Sequence, residues 1–425
     1  MIKRYFSAIL LLFSFSAFAQ YKPDVVVIGG SAAGTAAAIQ AANSGVKAVL
    51  IEPGSQLIGD AVPDMEIPAF NRGIWKKWKD LYKSKIDSQK TATPQDALET
   101  LVKQTKNLHF FKNTPVLEIK QKSSGWEIRI PVNGKTEKIK CKILVDATTD
   151  SKASLLASGN ILKLDSAGKF DAFVNYNKAQ RENPYQQAQK LYKTSGAAGF
   201  GHDSLLHFIP LGVFIPKNVD NLLVVSMSCF KDFDTEDFRN IALWTNMGQA
   251  AGALAAYGPF FNVSPKKANI RITQNEMLDY NSFLYPVLDV DTARVSWNPV
   301  QKIIASGVLR FDFVKGKFNP DSAVTVSQIK NQMTQLYPRA RIWFIENSAL
   351  TSLSTQNLVS MLSFISGRDP VSIQQEIEND WKKKYKFKTA YSAEKTINKL
   401  EFACILENYI SPYSVNVDFA GFDLR

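Results

Sequence analysis

Cysteine and histidine are scarce in this chain of 425 residues, which contains only three of each. The cysteines, Cys141, Cys229 and Cys404, lie far apart in the sequence, and none of them belongs to a CxxC pair. This spacing provides no disulfide framework, no zinc site and no iron–sulfur cluster, and it argues against a dithiol redox motif. We therefore expect no metal site in this protein.

An apolar run long enough to span a membrane is also missing from the N-terminus. Lys3 and Arg4 precede a short apolar run at residues 8–13, and Ala17 and Ala19 flank Phe18 just before Gln20. A short apolar run with basic residues before it and small residues after it is typical of a cleavable secretory signal. We expect residues 1–19 to be removed, no membrane span in the mature chain, and a periplasmic or secreted protein.

Long basic runs are absent although the formal net charge is +12. The positive charge lies in short groups, such as Lys76 with Lys77 and the three lysines at residues 382–384. A solvated basic surface explains this distribution better than a nucleic-acid-binding surface. Contact with an anionic envelope surface remains compatible with it, and we expect no nucleic-acid partner.

The most informative stretch is residues 24–53. A short apolar run at residues 25–28 is followed by small residues at 29–34, an Ala-rich helical segment at 35–44 and a second apolar run at 48–51. Glu52 ends that second run. The order strand, tight turn, helix, strand and acidic residue predicts a Rossmann-type unit that binds a dinucleotide. A Rossmann-like scaffold that binds no nucleotide is the alternative.

Each small residue of the turn has a physical task in this prediction. Gly29 permits the sharp turn, Gly34 permits close packing of helix on strand, and Glu52 is placed to accept hydrogen bonds from a ribose. The pyrophosphate is expected at the N-terminus of the helix, where N–H groups are free. Ser31 stands where the middle glycine of the fingerprint is usual, and its small hydroxyl can itself donate to a phosphate.

The elements that follow predict a particular domain. Helices are expected at residues 68–82 and 93–106, followed by three alternating strands with an Asn133-Gly134 hairpin turn. The uniformly apolar run 143–145 indicates a return to a buried parallel sheet. After residue 262, residues 263–275 are predicted to form a connecting strand and loop.

Together these motifs resemble a known family. The resemblance rests on IGGSAAG with Glu52, on the strands that end in VDATTD, and on the later NLLVVSMS and MGQAAGALAA. These motifs resemble those of FAD-dependent oxidoreductases of the glutathione-reductase-like class. The exported group called xanthan lyase-like is the most similar. Thr149 and Ser226 stand where that family usually has glycine, and the loop after Glu52 has Gly59-Asp60 in place of a Gly-Gly pair.

The resemblance implies an α/β fold: a Rossmann-like FAD-binding domain (residues 20–158 and 205–262) with a three-stranded β-meander, a short substrate or cap insert (159–204), and a mainly helical C-terminal domain (263–425). It also implies a role for each matching residue. The FAD pyrophosphate would be held by Gly29, Gly30, Ser31, Ala33 and Gly34. Glu52 would bind the ribose, and Val116, in the first strand of the meander, would bind the adenine. Asp146, Ala147 and Thr148 would lie beside the cofactor, Ser226 would lie by the ribitol, and Gly248, Gln249 and Ala250 would open a helix aimed at the flavin.

Two alternatives accompany these roles. The small-residue segment at 248–252 is also what a helix packed tightly on the sheet requires. His202 and His207 are candidates for a proton carrier near the flavin, whereas ordinary hydrogen-bonded histidines would explain them equally simply. His109 is expected to be structural, and Cys229 lacks the partner that a redox thiol would need.

The C-terminal region resembles an S-layer-homology module. Residues 287–333 contain the fullest copy of its pattern, and weaker echoes occur at 350–367 and 395–409, so we predict a threefold helical repeat. Such a module would contact envelope polysaccharide, or it would simply cap the flavin domain.

These observations predict an exported FAD-dependent oxidoreductase that transfers a hydride between FAD and an organic, carbohydrate-related substrate. No second glycine fingerprint for a nicotinamide cofactor is visible. The main alternative is a non-catalytic envelope- or polysaccharide-binding protein that retains a degenerate flavin fold, and a further one is an enzyme that binds NAD alone.

Overall fold

The computed structural model describes residues 22–58, 70–88, 91–157, 161–201, 204–238 and 240–424. The predicted signal peptide, the Gly59-Asp60 pair and His202 lie outside these residues. Within them, the chain forms a parallel sheet with helices packed on it, followed by a helical C-terminal region.

The dinucleotide-binding unit forms as predicted, from β1 (Val25–Ile28), α1 (Ala32–Asn43) and β2 (Ala48–Glu52). All four residues of β1 are buried, as a strand covered on both faces requires. Helix α1 begins three residues earlier than the sequence indicated. The reason is its N-cap, because the Ser31 hydroxyl accepts a hydrogen bond from the Gly34 N–H.

Two helices and a strand follow, namely α2 (Gly73–Ser88), α3 (Pro94–Gln104) and β3 (Leu108–Lys112). Helix α3 starts at a capping box between Thr93 and Asp96, close to the predicted start. Ile74, Trp75 and Trp78 of α2 are buried, so this helix packs its apolar side chains into the core.

The meander also forms as predicted. Strands β4 (Glu118–Lys122), β5 (Gly125–Val132) and β6 (Lys135–Cys141) pair antiparallel in that order. Strand β7 (Ile143–Asp146) then returns to the parallel sheet, where Ile143 lies opposite Val25 of β1.

The second half of the domain completes the sheet. It comprises α4 (Lys152–Leu156), α5 (Lys178–Glu182), an antiparallel pair of strands β8 (Ser195–Phe200) and β9 (Leu206–Pro210), strand β10 (Leu222–Val224) and α6 (Ile241–Phe261). The parallel sheet has the order β10-β7-β1-β2-β3, with its first strand in the middle.

One element was predicted wrongly. Residues 263–275 contain no strand, because a short 3-10 turn lies at Pro265–Lys267 and helix α7 (Ile270–Asp279) begins within the segment. The Asn269 side chain caps the helix by accepting from the Ile272 N–H, and Ile270, Met277 and Leu278 are buried on one face. The first three residues of α7, Ile-Arg-Ile, alternate as the residues of a strand do.

The remaining helices are α8 (Trp297–Ser306), α9 (Val326–Leu336), α10 (Pro338–Glu346), α11 (Thr355–Ser366), α12 (Pro370–Lys383) and α13 (Lys399–Tyr409). None of the helices within the described residues is long and apolar enough to cross a membrane.

The segments that precede three of these helices are hydrogen-bonded to one another. A fully buried apolar residue precedes each of α9, α11 and α13, and the three form a closed ring of backbone hydrogen bonds. The Val324 N–H donates to the Ile397 carbonyl (3.1 Å), the Ile397 N–H to Leu353 (2.9 Å), and the Leu353 N–H to Val324 (3.1 Å). The ring is compatible with three repeated units, and the S-layer-homology-like repeat itself stays a prediction.

Candidate functional site

The turn between β1 and α1 has the close approaches that a dinucleotide fingerprint requires. Gly29 has a φ of +99°, and a Cβ atom on it would lie 2.8 Å from the Ala147 carbonyl group. A Cβ atom on Gly34 would lie 1.9 Å from the Gly29 carbonyl oxygen. Glycine is therefore needed at both positions, for the reasons that the sequence indicated.

The N-terminus of α1 offers free hydrogen-bond donors. The Thr35 N–H donates to the Ser31 carbonyl, and the Gly34 N–H donates to the Ser31 hydroxyl. Among the described residues, the N–H groups of Ser31, Ala32 and Ala33 have no acceptor. Three such N–H groups at the positive end of a helix dipole fit a pyrophosphate.

Glu52 is held beside this turn by two backbone groups. Its carboxylate accepts from the Gly30 N–H through Oε2 and from the Gly54 N–H through Oε1. Each carboxylate oxygen has a second lone pair, so both can still accept from ribose hydroxyls. The position of Glu52 therefore fits its predicted contact with the adenosine ribose.

The loop after Glu52 closes over the turn in a way that the sequence did not predict. The Leu57 side chain is fully buried, and a Cβ atom on Gly30 would lie 2.3 Å from its Cδ2 atom. The Ile58 N–H donates to the Gly30 carbonyl oxygen, and Ile58 has a φ of +54°. A β-branched residue rarely adopts this left-handed conformation, which glycine adopts easily.

Val116 does not lie in the first strand of the meander, because β4 begins at Glu118. It lies just before that strand and is half-buried. The Val116 N–H and carbonyl groups make no hydrogen bond within the described residues, so its contact with adenine stays a prediction.

Asp146 organises the loop that follows β7. It is fully buried and accepts hydrogen bonds from the Thr148 N–H (3.0 Å), the Thr148 hydroxyl (2.6 Å) and the Ser154 N–H (2.6 Å). Burial raises the pKa of the Asp146 carboxyl above its ordinary value. Its neighbour Ala147 lies against the fingerprint turn, where its carbonyl oxygen accepts from the Ser31 hydroxyl.

Ser226 belongs to a cluster of three buried serines that the sequence did not predict. Its hydroxyl lies 2.9 Å from that of Ser151 and 2.9 Å from that of Ser228, and these two lie 2.6 Å apart. The three hydroxyls tie the loop after β7 to the loop after β10. Ser151 has a φ of +56°, which is again an unusual conformation for a residue with a side chain.

The segment Gly248-Gln249-Ala250 does not open a helix, so that prediction is wrong. Helix α6 begins at Ile241, and these residues lie in its buried interior. The cap of α6 is Asn240, whose side chain accepts from the N–H groups of Ala242 and Leu243. The small residues allow close packing, as the structural alternative required, but the main partner is α1 rather than the sheet.

Gln249 joins three helices. Its side chain accepts from the Ile74 N–H at the start of α2 and donates to the Gln40 side chain of α1. Gln249 is almost fully buried. A structural role explains these contacts completely.

His207 and Cys229 lie in the core. His207 is fully buried, and its ring centroid is 4.9 Å from that of Phe238 and 5.5 Å from that of Phe233. Cys229 is buried, its thiol donates to the Val224 carbonyl, and burial raises the pKa of the thiol to about 12. His109 packs against Phe111, and burial lowers the pKa of its imidazole.

No group of three or more His, Cys, Asp or Glu side chains within the described residues is arranged to hold a metal ion. What the geometry does provide is a donor-rich helix N-terminus beside an acidic residue, at the carboxyl edge of a parallel sheet. These features define a Rossmann-type dinucleotide-binding domain, and its residues fit the adenosine and pyrophosphate groups.

Comparison with protein families identifies the dinucleotide. The model of the family described as FAD dependent oxidoreductase matches residues 24–161, which is the part of the chain that forms this site. The match assigns FAD as the cofactor of this domain. No curated protein matches the chain.

Several solved structures share parts of the fold at low similarity. A flavoprotein/dehydrogenase from Cytophaga hutchinsonii is 12% identical, with 60% of this chain and 82% of that chain covered and a TM-score of 0.35. The GidA protein of Aquifex aeolicus is 20% identical, with 30% and 25% covered and a TM-score of 0.22. Bacillithiol disulfide reductase from Staphylococcus aureus is 19% identical, with 30% and 38% covered and a TM-score of 0.21. This chain thus spans less than half of the last two proteins.

Proposed function

We propose that this protein is an exported FAD-dependent oxidoreductase that transfers a hydride between an organic substrate and FAD. The observation that carries the proposal is the pairing of three free N–H groups at the start of α1 with the Glu52 carboxylate. This pairing matches the pyrophosphate and the ribose of one dinucleotide.

The chain's own residues would bind and orient the cofactor. The N–H groups of Ser31, Ala32 and Ala33 would hold the pyrophosphate, and Glu52 would accept from the ribose. The loops after β7 and β10, tied together by the Ser151–Ser226–Ser228 cluster, would border the ribityl chain. FAD itself would supply the hydride chemistry, as flavins do in such enzymes. The carbohydrate-related substrate follows from the sequence resemblance alone, and export follows from the signal pattern of residues 1–19.

The test is an absorption spectrum of the purified protein before and after addition of FAD. We expect visible flavin bands that reductant bleaches, and we expect Glu52→Arg to abolish them by replacing the ribose acceptor with a cation. Glu137→Arg is the matched control, because Glu137 is exposed on β6 and makes no ion pair within the described residues. A folded, colourless protein that takes up no FAD would overturn the proposal.

A non-catalytic envelope-binding protein is the second candidate. The threefold arrangement of α9, α11 and α13 favours it, because the S-layer-homology modules that this region resembles are built from such repeats. Cosedimentation with purified cell-wall polysaccharide distinguishes the two. Sedimentation by a protein that binds no FAD would support this candidate, whereas FAD binding without sedimentation would support the oxidoreductase.

A further inference from the structure

A groove of about 340 Å³ lies outside the dinucleotide site. One wall is the segment 293–296, which leads into α8, and the other is the turn 385–389, which follows α12. None of these residues was singled out in the sequence, because the two segments are about 90 residues apart.

The groove carries an excess of positive charge. Arg294, Lys386 and Lys388 line it and are exposed. Within the described residues the lysines make no ion pair, and Arg294 approaches a carboxylate only at 4.0 Å, that of Asp291. Three cations on one small concave surface attract an anion and repel a metal cation.

Two acidic residues also line the groove, but only one of them is uncompensated. Glu401 is buried and accepts from the Lys395 ammonium (3.1 Å) and the Thr389 hydroxyl (2.6 Å). Asp321 is exposed and makes no ion pair within the described residues. The groove therefore has three unpaired or weakly paired cations against one free carboxylate.

A buried hydroxyl with no partner also lines the groove. Ser296 is only 2% exposed, and its Oγ atom makes no hydrogen bond within the described residues. Leaving a buried hydroxyl without a hydrogen-bond partner has a cost in free energy. A ligand that accepts a hydrogen bond from Ser296 would remove this cost.

The wall that carries the lysines is held in place by its own contacts. The Lys382 ammonium donates to the carbonyl oxygens of Phe387 (2.9 Å) and Lys388 (2.7 Å). The rings of Tyr385 and Phe387 stack at 5.1 Å. The backbone that carries Lys386 and Lys388 therefore loses little freedom when a ligand binds.

The opposite wall is fixed to the FAD-binding domain. The Arg72 guanidinium donates to the Thr292 carbonyl (2.6 Å) and lies 5.2 Å from the centre of the Trp297 ring. The groove thus lies where the helical C-terminal region meets the segment that is tied to α2. Both walls are formed before any ligand binds.

We propose that this groove binds a small molecule that carries an oxyanion, either a carboxylate or a phosphate. Lys386, Lys388 and Arg294 provide the charge, and the Ser296 hydroxyl donates a hydrogen bond. The site is separate from the dinucleotide site, and its existence does not depend on the oxidoreductase activity.

The test is isothermal titration calorimetry of the full-length protein at constant ionic strength with three probes: inorganic phosphate, galacturonate and uncharged galactose. Binding of phosphate alone assigns a phosphate site, and binding of galacturonate alone assigns a carboxylate site. Binding of both supports a general oxyanion site. No heat from either anion, or equal binding of galactose and galacturonate, overturns the proposal.

Matched variants locate the binding. The double substitution Lys386→Gln/Lys388→Gln is expected to weaken anion binding by about tenfold or more, because it removes two charge-assisted contacts. Ser296→Ala is expected to weaken it by about fivefold. Lys330→Gln/Lys383→Gln removes the same charge from exposed positions outside the groove and is expected to change little. An equal loss in both double variants overturns the proposal, and circular dichroism verifies that each variant is folded.

Discussion

Gly248 of α6 lies so close to α1 that a Cβ atom on it would be 2.0 Å from the carbonyl oxygen of Ala33. Gly252 approaches the same helix one turn later, where a Cβ atom would be 2.3 Å from the Ala37 carbonyl oxygen. The two contacts set the helices parallel and in direct backbone contact. They also fix the position of the N-terminus of α1, whose free N–H groups form the pyrophosphate site.

The substitution Gly248→Ala is expected to lower the free energy of unfolding by about 3 kcal/mol, because backbone atoms cannot move aside as a flexible side chain can. Urea unfolding followed by circular dichroism measures the change. Phe260→Ala is the control on the same helix, since Phe260 is 69% exposed, and it should stay within about 0.5 kcal/mol. Similar stabilities for the two variants would show that the helices can separate without cost.

Ser31 occupies the fingerprint position that usually has glycine, and its hydroxyl is already engaged. The Oγ atom accepts from the Gly34 N–H (3.1 Å), and its single proton goes to the Ala147 carbonyl (3.1 Å). The hydroxyl therefore does not point its proton toward a phosphate, in contrast to the expectation from sequence. It also occupies one N–H group that a pyrophosphate could otherwise use.

We therefore expect Ser31→Gly to bind FAD about tenfold more tightly, which corresponds to one added hydrogen bond to a charged group. The dissociation constant is measured by the quenching of flavin fluorescence. Ser44→Gly is the control, because Ser44 caps the opposite end of the same helix. Weaker binding by Ser31→Gly would instead show that the serine cap holds the site in its binding shape.

Local signals were sufficient to predict the β1-α1-β2 unit and the meander. In each of these, glycine turns, caps and hydrophobic periodicity within about thirty residues determine the structure. The start of α6 was misplaced for the same reason. The run of small residues at 248–252 is conspicuous in the sequence, but the helix begins at its cap, Asn240, which small residues do not reveal.

Long-range contacts were beyond the reach of such signals. Ser151 and Ser226 are 75 residues apart, and no local pattern indicates that their hydroxyls lie 2.9 Å from each other. The positive φ of Ile58 is also beyond the reach of local signals, because the loop takes its shape from Leu57 packing against Gly30. Helix α7 was missed because its first three residues alternate as a strand does.

Asp146 makes a testable contribution to the pH dependence of stability. Burial raises the pKa of this carboxyl in the folded protein, so the folded state binds more protons than the unfolded state as the pH rises above the ordinary aspartate value of about 3.9. The Asp146 contribution to stability is therefore largest at low pH and is lost as the pH rises through the folded-state pKa.

The stability of the wild type relative to Asp146→Asn should accordingly fall as the pH is raised from about 4 to 7. Urea unfolding of both proteins across this range measures the difference. Asp321→Asn serves as the control, because Asp321 is exposed and should give a difference that varies little. A difference for Asp146→Asn that grows with pH would mean that its hydrogen bonds outweigh burial.

Arg271 joins the two halves of the molecule through a fully buried guanidinium. Its Nε donates to the Val415 carbonyl (3.2 Å), Nη1 to the Lys193 carbonyl (3.0 Å) and the Gln274 side chain (2.8 Å), and Nη2 to the Ala305 carbonyl (3.1 Å). The guanidinium also lies 4.7 Å from the centre of the Tyr413 ring. These partners come from α7, α8, the insert before β8 and the C-terminal tail.

Replacement of Arg271 by Met preserves apolar volume and removes every one of these donors. Because several buried carbonyl groups then lose a partner, we expect Arg271→Met to reduce the free energy of unfolding by about 3–5 kcal/mol. Arg341→Met is the control, since Arg341 is exposed on α10, and it should change stability by less than about 0.5 kcal/mol.

Native-state hydrogen exchange of Arg271→Met shows where in the chain the substitution acts. If Arg271 holds the C-terminal tail to the FAD-binding domain, residues 415–424 should lose protection first, whereas uniform loss over the whole chain would mean that the two halves unfold as a single unit.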